Sequence, residues 1–186
     1  EQLPVKIGND IFEQSGMYAD DNFFSIFTFP LIAGDAKTAL TDPYSVILSE
    51  EVAKKFFGKT DVIGKTIELP LGKDRTFETF AVTGITPKSP QNSSIKIDML
   101  LPMKLNERDG GGDNQWINFY LNTFVVLNPK ANIAAVEAKF KKVYEANAKD
   151  QIKEATEKYN FKETISYGLQ PFLDMHLGNE FGSESG

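Results

Sequence analysis

The sequence contains no cysteine among its 186 residues. Disulfide bonds, thiolate catalysis and cysteine-ligated zinc or iron sites are therefore excluded within this chain. Histidine occurs once, as His176, so neither a two-histidine metal site nor the HExxH arrangement of zinc proteases can be built. These two absences exclude the commonest metal-centred and thiol-based enzymes.

Long apolar runs and basic clusters are also lacking. No stretch approaches the roughly 18 to 20 consecutive apolar residues of a membrane-spanning helix, and the first residues lack the basic flank and apolar core of a signal peptide. The net charge is -6, and no stripe of lysine or arginine is present to neutralise phosphates. We therefore expect a soluble segment with no nucleic-acid partner.

The composition is that of an ordinary globular protein, with 41% hydrophobic and 25% charged residues, which excludes disordered, collagen-like and coiled-coil chains. Segments with two-residue alternation are separated by only two or three helical patterns. This pattern predicts an α+β fold, with antiparallel or mixed sheets and two or three helices.

Five segments are predicted to be strands: four carry the alternation of apolar and polar residues, and 77–85 has β-forming residues on both faces. In the first of them, Ile63, Ile67 and Leu69 are expected on the buried face. In the last, the expected buried residues are Ile165, Tyr167 and Leu169. The five predicted strands are 63–69, 77–85, 95–101, 116–127 and 164–170. The glycine-rich stretch 109–113 is predicted to be a flexible connection.

The clearest helix lies between Ser49 and Gly58. Ser49 can cap the first turn, two glutamates follow at the positive end of the helix dipole, and Gly58 can take the left-handed closing conformation. A longer helix should begin after Asn132 and continue, with a break, toward Lys158, and a short aromatic-rich helix is expected over 21–27. The expected buried face of the long helix consists of Ile133, Val136, Phe140, Val143 and Tyr144.

Two patterns suggest catalytic or nucleotide chemistry but fail on closer inspection. Gly58 and 64–66 resemble a phosphate-binding loop, yet five residues separate the glycines where four are required, and the segment runs from helix to strand. Asp174 and His176 leave a Ser-His-Asp triad arithmetically possible, but no GxSxG nucleophile elbow is present. A structural or surface role is favoured for His176.

The remaining motifs have structural explanations. Asp20 and Asp21 are adjacent, so their side chains diverge, and Asp21 is expected to cap the next helix. The Asn92-Ser93-Ser94 glycosylation triplet is close to chance, and the lysine-rich stretch 139–158 reads as a solvated helix face. Aromatic residues at helical spacing are expected in the core rather than on a lipid-facing patch: Phe23, Phe24, Phe27 and Phe29. We predict no catalytic, cofactor-binding or metal-binding residues.

Four segments in order resemble one protein family. They are FFSIFTFPLIAGD (23–35), VILSEEVAKKFFG (46–58), DVIGKTIEL (61–69) and FAVTGI (80–85). Together they are similar to the MacB-like periplasmic core domain of MacB/FtsX-type ABC transporter permeases. The resemblance implies an inserted small α/β subdomain at 17–94. It also implies a membrane-proximal α/β subdomain built from 1–16 and 95–186, whose N-terminal part is incomplete.

The resemblance also implies a function without catalysis in this chain. It implies a periplasmic domain of a bacterial inner-membrane protein that couples ATP-driven movement of membrane helices to export or partner activation, with no cofactor. The implied partners are the protein's own transmembrane helices, a cytoplasmic ABC ATPase, a second permease copy, and a periplasmic adaptor or lipoprotein. Two alternatives stay open: a freestanding module that binds a peptide or lipid, and a hydrolase that uses His176 with Asp174.

Overall fold

The computed structural model describes residues 2–71, 74–108, 116–118, 121–160 and 165–174. These residues form a mixed seven-stranded sheet and five α-helices, which confirms the α+β class with more helices than expected. The chain divides into two compact units, Glu1–Gly112 and Asp113–Gly186, called here the first and second unit. The subdomain division expected from sequence stays a prediction.

All seven strands lie in the first unit, and the two long helices lie in the second. The strands are β1 (Gln2–Ile7), β2 (Asp10–Ala19), β3 (Ala33–Gly34), β4 (Ser45–Ser49), β5 (Thr66–Leu71), β6 (Thr76–Thr86) and β7 (Met99–Pro102). The helices are α1 (Phe23–Ile26), α2 (Glu50–Phe57), α3 (Met103–Arg108), α4 (Ile133–Asn147) and α5 (Lys149–Tyr159), with a 3₁₀ helix at Phe172–Asp174. None of these helices is both long and apolar enough to cross a membrane.

Strand pairing in the first unit closes into a ring. The pairs run from β6 to β4, β7, β2, β1 and β5, and β5 pairs again with β6. The two neighbours of β6 lie on its opposite edges, because the Ala81 amide donates to the carbonyl of Tyr44 and the Val82 amide donates to that of Lys65. Among the described residues, the ring closes between β1 and β5 through one residue pair, Lys6↔Glu68, and the two residues of β3 add a short strand to β6.

Both faces of β2, β4 and β7 contribute side chains to the core clusters. In β4, Val46 and Leu48 face one core cluster while Ile47 faces another, and all three are fully buried. The first core cluster gathers one face of the ring with residues of α2, and the second gathers the opposite face of β2, β4 and β7 with α1. This alternation follows from the period of two along a strand.

The five strands predicted from the sequence do not include the hairpin of β1 and β2, which pair from Gln2↔Ser15 to Ile7↔Asp10. Its turn consists of Gly8 and Asn9, a dipeptide that favours two-residue hairpins. The seam between β1 and β5 is held by the Lys6–Glu68 ion pair at 2.9 Å. The hairpin therefore forms one side of the ring, since β1 pairs with β5 and β2 pairs with β7.

Of the three strands predicted in the first unit, one agrees with the structure over its whole length and two begin later than predicted. The predicted strand 77–85 is confirmed as β6. The predicted strand 63–69 begins only at Thr66, and Ile63 is 45% exposed rather than buried. The predicted strand 95–101 begins only at Met99, because the backbone before it forms turns and bends, although Ile97 is buried as expected.

Two predicted strands in the second unit are wrong. Residues 116–118 and 121–127 form no strand, and neither do residues 165–170. Leu121 and Val125, expected on a buried face, are about half exposed. Alternation of apolar side chains produces a strand only where a neighbouring strand pairs with its amides and carbonyls, and no strand lies among the described residues of this unit.

The helix predicted between Ser49 and Gly58 and the longer helix predicted after Asn132 are both confirmed. In α2, the Ser49 hydroxyl accepts from the Val52 amide at 3.3 Å, and Gly58 closes the helix in the left-handed region with φ of 72°. The helix after Asn132 is α4, and the expected break falls at Ala148, where α5 follows. Of the five residues expected on the buried face of α4, only Tyr144 is buried, and Ile133 and Val143 are about half exposed.

Candidate functional site

The glycines of the apparent phosphate loop have structural roles. Gly58 ends α2, and Gly64 lies in the turn before β5, where its amide donates to the Val82 carbonyl at 2.8 Å. Lys65 joins the same backbone network through its carbonyl, which accepts from the Val82 amide. The segment therefore connects a helix to a strand, as its spacing indicates.

Asp21, in the acidic pair before α1, does not cap that helix as predicted. The capping position belongs to Asn22, without a side-chain hydrogen bond, and Asp21 instead pairs with Lys104 at 3.1 Å. The expectation that Asp21 caps α1 is therefore wrong, because α3 offers that carboxylate a cation. The aromatic cluster is confirmed as core: Phe23 is buried, with the rings of Phe27 and Phe29 at 5.0 and 5.7 Å.

The catalytic pair considered from sequence is only partly within the structure. Asp174 ends the 3₁₀ helix, while His176 and the glycine-rich stretch 109–113 lie outside the described residues. Within the described residues, no group of three or more His, Asp or Glu side chains could hold a metal ion. The lysine-rich helix face carries i,i+4 ion pairs, Lys141–Glu145 and Lys158–Glu154.

The second unit contains a cavity of about 760 Å³ between α4, α5 and the segment 165–168. Its walls are mostly apolar, and Ile152 and Ile165 contribute to them. Two tyrosines, Tyr144 from α4 and Tyr167 from the segment, place their ring centres 5.2 Å apart with the planes tilted by 56°. The volume lies within the range of about 300 to 1,000 Å³ that is usual for small-molecule pockets.

The two tyrosine hydroxyls differ in their partners. Tyr167 donates to the Trp116 carbonyl at 3.4 Å. Tyr144 is 7% exposed, and its hydroxyl has no hydrogen-bond partner among the residues that the structure describes. Burial raises the pKa of Tyr144, with a smaller contribution from Tyr167, and burial also raises the pKa of Tyr167. Tyr144 therefore presents a protonated hydroxyl at neutral pH.

The charged side chains that line the cavity form ion pairs or hydrogen bonds within the second unit. Lys141 pairs with Glu145 at 3.9 Å, and the Glu137 carboxylate accepts from the Leu169 amide at 2.9 Å. The Trp116 amide donates to the Gln151 side chain at 2.8 Å, which ties the segment before α4 to α5. The charged groups that line the cavity therefore have partners, while the Tyr144 hydroxyl, which has no partner among the described residues, is buried away from the accessible space.

This cavity was not foreseen from the sequence, although one pattern points toward it. Tyr144 occupies the expected apolar face of α4, and a tyrosine on such a face needs a partner for its hydroxyl once buried. Its neighbour Tyr167 was expected in a strand. A strand at this position does not predict that the Tyr167 ring contacts the Tyr144 ring.

The family model of the MacB-like periplasmic core domain matches residues 3–143. No curated protein sequence matches the chain. A crystal structure of a domain from a permease protein of Porphyromonas gingivalis is similar at 25% identity and a TM-score of 0.55, covering 78% of this chain and 65% of that one. The chain thus spans slightly less than two thirds of that structure's length.

The periplasmic region of MacB from Actinobacillus actinomycetemcomitans is also similar in structure. The TM-score is 0.53 at 15% identity, and the alignment covers 85% of this chain and 72% of that chain. At this level of identity the likeness supports a shared fold.

Proposed function

Since the chain belongs to the MacB-like periplasmic core domain family, we propose that it transmits ATP-driven movement of membrane helices to the extracytoplasmic side of an ABC transporter permease. The earlier resemblance to this family is confirmed, and the family is one of permease domains rather than enzymes. ATP is hydrolysed in a separate cytoplasmic subunit or domain, and this domain changes its orientation and contacts in response. The match over residues 3–143 carries the proposal.

The packing of the first unit supports a mechanical role. A body that transmits motion must resist deformation, and close-packed interiors have low compressibility. The ring of strands is filled on one face by large side chains with no exposure, among them Phe80, Leu48 and Leu101. We therefore propose that this unit moves as a rigid body when the membrane helices move.

The partners follow from the same proposal. They are the protein's own transmembrane helices, a cytoplasmic ABC ATPase, a second copy of the permease, and a periplasmic adaptor or lipoprotein that receives the movement. The work of this domain is then export or activation of that partner on the periplasmic side of the inner membrane.

Spin labels provide a test that needs no knowledge of the cargo. Because this chain has no cysteine, Lys59→Cys adds a single labelling site within it, and Lys59 is exposed just after α2. In the full-length permease with its ATPase, we expect the label-to-label distance between two copies to differ between nucleotide-free and ATP-trapped states. Unchanged distances in a transporter that hydrolyses ATP would contradict the coupling role.

The proposed subdomain arrangement has a separate test. We propose that 1–16 and 95–186 form the membrane-proximal part and that 17–94 is the inserted subdomain. A photo-crosslinker replacing the exposed Lys130 should then label membrane helices of the full-length protein, whereas one replacing Lys59 should not. The reverse pattern would overturn the arrangement while leaving the coupling role intact.

A further inference from the structure

We propose that the ring of strands in the first unit opens reversibly at one seam, between β1 and β5, while its other strand pairs stay closed. In the open form the hairpin of β1 and β2 remains paired with β7 but parts from β5. The closed ring is the dominant form, so the unit can still move as one body. The inference concerns the fold of this unit and stands whether or not the domain transmits movement in a transporter.

The seams of the ring differ in the length of their strand ladders. β1 pairs with β2 over six residues of each strand, and β5 pairs with β6 over six as well. Between β1 and β5, the described residues form a single ladder pair, Lys6↔Glu68. Because backbone hydrogen bonds come with the ladder pairs, separating β1 from β5 breaks the fewest of them.

The direction of the backbone groups shows which residues of β5 face β1. On β6 the Val82 amide donates to the Lys65 carbonyl, on the β5 side, whereas the Ala81 amide donates to the Tyr44 carbonyl, on the β4 side. Successive residues of a strand turn their backbone groups to opposite edges, so the even-numbered residues of β6 face β5. These pair with the odd-numbered residues of β5, and the even-numbered residues of β5 therefore face β1.

Two prolines then explain why the ladder between β1 and β5 stops after one pair. In the antiparallel register set by Lys6↔Glu68, the next position that faces across the seam places Pro4 opposite Pro70. Proline has no N–H group, so neither strand can donate a backbone hydrogen bond to the other there. The sequence itself therefore prevents the ladder from extending.

Side-chain contacts hold the seam closed. The Lys6 amine pairs with the Glu68 carboxylate at 2.9 Å and lies 5.6 Å from the centre of the Phe77 ring, but 35% of each charged side chain is exposed. Ion pairs that reach solvent contribute little to stability. On the inner face, Val5 of β1 and Leu69 of β5 are fully buried in the first core cluster. Opening exposes this apolar surface, so the open form is a minor one.

The next shortest ladder in the ring is harder to open. Within the described residues, β4 and β7 share two pairs, Ile47↔Leu100 and Leu48↔Met99, and all four side chains are fully buried. They belong to both core clusters, so separating β4 from β7 would expose both. Separating β1 from β5 exposes the first cluster alone. The β1–β5 seam is therefore the place where the ring opens most readily.

The same two prolines suit strand edges that are exposed part of the time. An open edge presents unpaired N–H and C=O groups that can pair with another chain, and proline on the edge is one of the ways in which proteins prevent this. Pro4 removes a donor from the edge of β1, and Pro70 removes one from the edge of β5. Opening at this seam therefore exposes edges that are poor templates for aggregation.

The test measures how often a buried position at the seam becomes accessible in the 186-residue chain. The chain has no cysteine, so Val5→Cys and Val46→Cys each add one thiol at a fully buried position of the first core cluster. Val5 lies at the seam, whereas Val46 lies on β4 between β6 and β7. Under native conditions iodoacetamide should alkylate the Val5→Cys variant at least about tenfold faster. Its rate should also respond less to low denaturant concentrations than global unfolding does, because a seam exposes less surface.

Restoring the missing donors tests the cause. In the Val5→Cys chain, Pro4→Val and Pro70→Val together return an amide to each edge, and both positions are only partly buried. The ladder can then extend by one pair, so alkylation should slow by about tenfold. Circular dichroism checks that each variant is folded, and denaturant unfolding gives its global stability.

A second variant weakens the seam without touching the prolines. Lys6→Met in the Val5→Cys chain removes the ion pair with Glu68, so alkylation should become about two- to fivefold faster. Lys54→Met is the matched control, since it removes the Lys54–Glu50 ion pair of α2 at 3.0 Å, and it should leave the rate unchanged.

Equal alkylation rates for Val5→Cys and Val46→Cys would overturn the proposal, and so would a Val5→Cys rate that follows global unfolding. An unchanged rate after both prolines are replaced in a folded chain would also overturn it. If the proline variant does not fold, Lys6→Met decides, because a rate equal to that of the Lys54→Met control would show that the seam does not limit access to Val5.

Discussion

The two units of this chain differ in how far their apolar residues are buried. In the first unit, Val46, Ile47 and Leu48 are three consecutive strand residues with no exposure. In the second unit, Val126 and Leu173 are 76% and 85% exposed. The buried apolar residues of the second unit, among those described, are Tyr144, Ala148 and Ala155.

Secondary structure explains the contrast. The ring of strands has two faces, with α2 in one core cluster and α1 in the other, so consecutive residues of β4 and β7 are buried on both faces. Two sequential helices and extended segments bury only the side chains that meet between them. Stability is therefore expected to concentrate in the first unit.

The contrast in stability between the two units is tested most directly by making the same Leu→Ala substitution in each unit. Leu48→Ala removes a fully buried side chain from the first core cluster and should lower the free energy of unfolding by about 3 to 5 kcal/mol. Leu121→Ala, at 46% exposure, should cost less than about 0.5 kcal/mol. Denaturant unfolding of both variants measures the difference, and similar losses would show that the second unit depends on its apolar residues equally.

A second prediction concerns the space around the backbone in the first unit. Gly34 has φ of 96°, and a Cβ atom there would lie 2.3 Å from the Thr83 carbonyl oxygen, so Gly34→Ala should cost about 3 kcal/mol. Gly58 also has positive φ but open space around it, and Gly58→Ala should cost about 1 kcal/mol. Thermal unfolding of both variants tests this order, and equal costs would mean that β3 shifts to accommodate the methyl group.

The first unit is also where sequence patterns worked better, for a physical reason. Helix α2 is specified locally, since Ser49, two glutamates, two lysines and Gly58 each fit their positions without tertiary contacts. Strand β6 has enough β-forming residues over eleven positions to be recognised. The hairpin of β1 and β2 was detectable from Gly8 and Asn9, but its role in closing the ring depends on pairing with distant strands.

In the second unit the helical pattern is confirmed in α4 and α5, but the strand pattern failed because it does not specify a pairing strand. Alternation over 116–127 and 164–170 describes a half-buried strand only if another strand pairs beside it. The candidate cavity could not be predicted either. It depends on the approach of Tyr144 and Tyr167, which are 23 positions apart and belong to elements that no local rule brings together.

Helix caps give a finer comparison of the units. Ser49 is 1% exposed and accepts from the Val52 amide, so Ser49→Ala leaves a buried donor unpaired and should cost about 2 kcal/mol. Asn132 is exposed and accepts from the Ala135 amide at 3.0 Å, where water can replace it. Asn132→Ala should cost about 0.5 kcal/mol. Chemical denaturation of the two variants measures both losses, and a larger loss for Asn132→Ala would reverse the ranking of the units.

The smallest expected effect is a pH dependence confined to the second unit. Burial first, and then Tyr167, raises the pKa of Tyr144, so above about pH 10 the unfolded chain loses this proton while the folded chain keeps it. The stability contributed by the neutral hydroxyl is fully present below that pH and declines as the pH rises toward the folded-state pKa. Trp116, the only tryptophan, lies in the second unit, and its emission can follow unfolding there. Between pH 8 and about pH 10.5 the wild-type midpoint should fall further than that of Tyr144→Phe, because the variant lacks the ionising group, and equal declines would assign the loss to other residues.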